Sequence, residues 1–162
     1  MTEPEQPDPQ ALYKEAKMAA LDLLSRREHS ALELQRKLSR RKQFSDVDLT
    51  ALCADLMADD WLSHERFTES FIRARRNKGQ GPVKIGHDLR SRGVTESEFM
   101  PIINRYDDWH DLAYETLSRK AHGWSGDVKT QAKWQRFLQY RGFQFDSVRY
   151  AMEQLKQSTK NQ

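Results

Sequence analysis

Apolar residues recur at helical spacing along almost the whole chain. Leu12, Ala16, Ala20 and Leu23 keep one face at i, i+4, i+8 and i+11. Ser30 is a candidate N-cap for a second stripe through Ala31, Leu34 and Leu38. Ser45 is a candidate cap for a third, through Leu49, Leu52 and Leu56. Ser63 opens a helix that buries Phe67, Phe71 and Ala74. Gly79-Gln80-Gly81-Pro82 closes it and starts the next, since glycine suits a helix stop and proline a first helical position. Ile85 and Leu89 carry that helix to Gly93, and Thr95 caps another with Phe99, Ile102 and Tyr106 inside. No stretch alternates with period two, so the pattern predicts about nine helices and no sheet.

The stripes repeat. Leu34 and Leu38 followed by Arg41, Ile85 and Leu89 followed by Arg92, and Trp134 and Leu138 followed by Arg141 share one spacing. Lys42, Gly93 or Gly142 comes next, and a hydrophobic residue (Phe44, Val94 or Phe143) follows shortly after. The intervals between these leucines are near fifty residues, which marks a tandem array. The expected architecture is all-α, with about three tandem three-helix repeats forming an elongated curved array. Its expected divisions are a disordered tail over 1–10, repeats over 11–60, 61–107 and 108–157, and a short tail over 158–162.

Composition agrees with thin cores. Charged residues make up 31% of the 162 residues and mean hydropathy is −0.91, polar for one large core. Four Trp, seven Phe and five Tyr are too many for a solvated coil. Net charge is only +3, but charge is segregated. Residues 25–42 hold seven Lys/Arg against two acids, 43–70 seven acids against one Arg, and 73–92 seven Lys/Arg against one acid, Asp88. Such blocks point to a nucleic acid or an acidic protein surface as partner. A lone cysteine, Cys53, forms no internal disulfide and points to a reducing compartment. No apolar run is long enough for a membrane span, so a cytoplasmic location is expected.

Catalytic chemistry finds no pattern to rest on. Gly79-x-Gly81 lacks the spacing and the Lys-Ser/Thr pair of a phosphate loop and reads as a helix–helix corner. The histidines are scattered, without metal-ligand spacing. Asp59-Asp60 and Asp107-Asp108 read as surface or capping acids, and Cys53 as a core residue beside Leu52 and Leu56. No enzyme activity, metal or cofactor is expected. Trp109, Trp124 and Trp134 read as packing residues of the third repeat, with base stacking as the alternative.

Trp61-Leu62-Ser63-His64-Glu65-Arg66-Phe67, leading through Phe71 to Arg73-Ala74-Arg75-Arg76-Asn77-Lys78-Gly79-Gln80-Gly81-Pro82, resembles the central signature of the RecX family. Arg26-Arg27-Glu28-His29-Ser30 with Glu33-Leu34 and Arg36-Lys37-Leu38 is similar to its first repeat. Gln135-Arg136-Phe137-Leu138-Gln139-Tyr140-Arg141-Gly142-Phe143 is similar to its third. Ser63 and His64 depart from the usual acidic pair, and Gln80 stands where the family often has an aromatic. The resemblance implies tandem three-helix repeats and a regulator that binds the RecA–DNA filament along its groove and dampens recombinase and ATPase activities by binding alone. It also implies a monomer. The expected contact surface is Arg73, Arg75, Arg76, Lys78, Arg90 and Arg92, facing DNA phosphate without sequence preference or acidic RecA residues. The alternative is an independent helical DNA-binding module, although no single recognition helix stands out.

Overall fold

A computed structural model describes residues 1–162 as helices joined by short loops, with no strand. In chain order they are α1 (Pro9–Arg26), α2 (Ala31–Ser39), α3 (Leu49–Ala58), α4 (His64–Asn77), α5 (Pro82–Ser91), α6 (Glu96–Ile103), α7 (Trp109–Lys120), α8 (Val128–Tyr140) and α9 (Phe145–Lys160). A short 3-10 turn, Lys42–Phe44, lies between α2 and α3. The nine helices fall into three sets of three. The chain divides into two compact units, Met1–Phe67 with Arg92–Val94, and Thr68–Ser91 with Thr95–Gln162.

Local chemistry sets the helix starts. Ser30 and Glu33 form a reciprocal capping box at α2, with bonds of 3.1 and 3.2 Å. Ser63 Oγ accepts the Arg66 N–H at α4, as its position predicts. Ser45 does not cap α3: the 3-10 turn occupies that segment, and Asp48 accepts the Ala51 N–H instead. Thr95 stands at the N-cap of α6, but its hydroxyl turns to Glu98 Oε1 at 3.0 Å. The first helix begins at Pro9, capped by Asp8, two residues before the expected start of the first repeat at 11.

The repeated leucines are the cores. Leu38, Leu89 and Leu138 have no solvent exposure. In the first unit Leu34 and Leu38 pack with Ala16, Ala20, Leu52 and Leu56. Tyr13 of α1 donates to Asp55 of α3, and that bond pushes the phenol up to about 12. In the second unit Leu117, Trp134 and Leu138 pack with Phe143, Ala151 and Leu155. Each fully buried leucine contributes about 1.5–3 kcal/mol, so clusters this small depend on every member. Cys53 is buried in the first cluster, and burial pushes its thiol up.

The α4 face differs from the expected one. Phe67, Thr68 and Ile72 are buried, Phe71 is half-buried and Ala74 is exposed. The stripe turns because Phe71 lies under the Arg75 guanidinium, 4.5 Å from ring centre to Cζ, instead of entering the core.

Candidate partner-binding surface

Arg66, inside the signature, is a structural clamp. Its Nε donates to Glu28 at 3.1 Å, while its Nη atoms donate to the carboxylate and carbonyl of Asp60. Asp60 ends α3 in the left-handed region at φ 62°, so one guanidinium fixes that corner and the loop before α2. Those bonds raise the Arg66 pKa, the Asp60 bond most of all. His64 is a second cap: its Nε2 accepts the Ala31 N–H at 3.0 Å. His64 therefore helps to start α2 from the first turn of α4.

The six predicted cations separate into different roles. Arg73 and Lys78 are exposed, and their side chains form no ion pair. Arg75 instead bridges α4 to α5, donating to Asp88 at 3.2 Å with both side chains only 22% exposed. Arg76 is held most closely. Its side chain is 12% exposed, and its Cζ lies 4.1 Å from the Tyr106 ring centre and 4.4 Å from that of Trp109. Its Nη2 donates to both Asp108 oxygens at 2.7 and 2.8 Å, while its buried Nη1 makes no hydrogen bond. Arg90 is exposed but pairs with Glu96 at 2.9 Å. Arg92 belongs to the first unit, with Gly93 against Leu32 of α2, so the structure does not group it with the others.

Arg75 and Arg76, expected on the contact surface, are instead largely covered and held in ion pairs. Sequence places only Asp88 near the cluster, whereas folding also brings Glu96 and Asp108 to it. Asp108 was legible as a helix-junction acid, but its partner lies 32 residues away and no local pattern marks it. The Gly79–Pro82 corner is as predicted: Gly79 adopts φ +74° and Pro82 begins α5.

No three His, Cys, Asp or Glu side chains gather as metal ligands would, and no helix is long and apolar enough to cross a membrane. Fold and surface together define a tandem three-helix-repeat protein whose exposed charge outlasts its internal ion pairing. Residues 63–98 match the family described as RecX, second three-helix domain, and residues 107–152 match RecX, third three-helix domain. The chain is 39% identical over 143 residues to the regulatory protein RecX of Chromohalobacter salexigens, covering 87% of this chain and 93% of that one. It is 36% identical to the regulatory protein RecX of Vibrio campbellii, covering 88% and 93%. A crystal structure of RecX from Lactobacillus salivarius has the same fold, with a TM-score of 0.74 at 22% identity, covering 90% of this chain and 97% of that one. The chain belongs to the RecX family of regulatory proteins.

Proposed function

We propose that this protein binds RecA filaments assembled on DNA and inhibits recombinase and ATPase activity, so modulating recombination and DNA repair. It acts by binding alone, as a monomer in the cytoplasm, without cofactor or catalytic step. The observation that carries this reading is near-full-length kinship with regulatory proteins named RecX. Exposed cations on α4, just after it and on α5 supply the surface. Arg73 and Lys78 make direct contact, Arg90 contributes charge from α5 beside its Glu96 partner, and Arg75 and Arg76 chiefly fix the α4 scaffold.

Filament co-sedimentation at two salt concentrations tests the surface. Arg73→Glu with Lys78→Glu weakens filament binding without changing helicity, because both side chains are exposed. Phosphate contacts give a steep loss of parent affinity with salt through counterion release, and contacts to acidic RecA side chains a shallower one. Parent-like affinity of the variant at both salts would remove these residues from the interface.

A further inference from the structure

Lys78, one of the cations predicted from sequence, lines a concavity of about 350 Å³ around Phe137 with three that were not, Arg119, Lys120 and Arg141. All four lie in the second unit. They arrive from separate elements: Lys78 follows α4, Arg119 and Lys120 end α7, and Arg141 follows α8. The floor is backbone. Gly79, at φ +74°, lies so close to Thr116 that an added Cβ would come within 2.9 Å of its Oγ1. No carboxylate lines the cavity, and none of the four cations forms an ion pair, in contrast to Arg75, Arg76 and Arg90.

A purely structural explanation is that cations compensate helix C-termini. Its magnitude falls short. Each helix end carries about half a negative charge, so three ends offset about 1.5 of four positive charges. Roughly 2.5 charges are left facing a concavity with no acid. Holding like charges together without a counter-charge destabilises the fold, so the arrangement fits an anionic ligand.

The lining discriminates between anions. Protein partners anchor through aromatic or aliphatic pockets. Here the aromatic face carries cations: Lys120 Nζ lies 4.6 Å and Arg141 Cζ 5.1 Å from the Phe137 ring centre. Thr116 Oγ1 already donates to Leu112 O, so the lining side chains offer charged donors and little else. Arginine forks match phosphate oxygens, and lysines add point charges. We infer that this concavity is a sequence-independent cradle for the phosphodiester backbone of a nucleic-acid strand, with Arg119 and Lys120 as its chief contacts. Arg141 positions the rim, since its Nη1 donates to the Lys78 carbonyl at 2.8 Å.

The inference rests on the proposed action at DNA-bound filaments, and its test reads DNA binding without RecA so that the two fail separately. Anisotropy of a labelled oligothymidylate is measured with the full chain, with Arg119→Ala/Lys120→Ala, and with Lys129→Ala/Lys133→Ala as a charge-matched control on exposed residues of α8. The cradle variant binds at least about tenfold more weakly, and its salt slope is shallower by about 1.4, at about 0.7 per lost single-strand phosphate contact. The control stays within about twofold of parent. Lys78→Ala, whose side chain is exposed, repeats the loss in the same direction should the double variant fold poorly. Loss in the cradle variants supports the inference whether or not RecA inhibition survives. Equal loss in cradle and control variants, or no loss in either, overturns it. So does competition by inorganic pyrophosphate as effective as that by unlabelled oligonucleotide, which makes the cavity a small-anion site.

Discussion

The backbone of Gly81 lies directly against that of Gly142. The Gly81 N–H donates to the Arg141 carbonyl at 2.8 Å, and the Val83 N–H donates to the Gly142 carbonyl at 3.0 Å. The free N–H groups at the start of α5 thus find carbonyls at the end of α8, joining the second set of three helices to the third. A Cβ on Gly81 would meet the Gly142 carbonyl at 2.5 Å, and one on Gly142 would meet Lys84 Cβ at 2.3 Å. Gly142 also adopts φ +92°, which disfavours any side chain. Gly81→Ala and Gly142→Ala each destabilise by about 2 kcal/mol or more, through displaced backbone or strain. Gly126→Ala, with nothing within 4 Å of the added methyl, stays within about 1 kcal/mol of parent. Thermal unfolding of the three variants checks the contrast. Equal melting temperatures would show that the two backbones do not meet.

Arg76 acts through packing and charge together. Arg76→Met keeps much of the stem but loses both ring contacts and the Asp108 bonds, so a loss of about 1–3 kcal/mol is expected. Asp108 is 49% exposed, which holds the ion-pair share to the lower part of that range. A double-mutant cycle with Asp108→Asn gives coupling of about 0.5 kcal/mol or more. Zero coupling would mean that the pair does not form.

The first repeat is acid-labile through His29. That ring is buried. Its Nδ1–H donates to the Arg27 carbonyl at 3.0 Å, and Lys37 donates to Nε2 at 2.9 Å. Burial holds its pKa below the ordinary value; the Arg27 carbonyl opposes this, and the nearby Arg27 and Lys37 charges reinforce it against Glu33. The unfolded chain takes up this proton near pH 6.5 and the folded chain only below that. The His29 contribution is complete above about pH 6.5 and is lost as pH falls from there toward the folded value. The Tm gap between parent and His29→Gln therefore narrows between about pH 7.5 and about pH 5.5. A constant gap would contradict the neutral, buried assignment.

Leu89→Asp tests the repeat itself. The side chain is fully buried on α5, at the position matched by Leu38 and Leu138. An unpaired carboxylate there costs several kcal/mol, and circular dichroism shows helix loss well below the parent melting temperature. A melting curve like the parent's would place Leu89 at the surface.

Much of the fold was legible because it is periodic. The i/i+4 leucines, the Ser30 and Ser63 caps and the Gly79–Pro82 corner all depend on neighbours within a few residues. What sequence did not show depends on distant partners. Arg75 and Arg76 look solvent-bound in a basic run, and only folding brings Asp88 and Asp108 beside them. Asp48 displaced Ser45 as a cap because Ser45 closes the 3-10 turn Lys42–Phe44, a choice local composition does not encode. Arg119 and Lys120 gave no signal either, since their meaning comes from Lys78 and Arg141 at the ends of other helices.

The central claim, inhibition of RecA by binding, is tested most directly by titrating the protein into RecA ATP hydrolysis on single-stranded DNA. Hydrolysis falls at substoichiometric to near-stoichiometric ratios of this protein to RecA, and the protein alone hydrolyses no nucleotide. RecA hydrolysis that holds its uninhibited rate at excess protein would contradict the account.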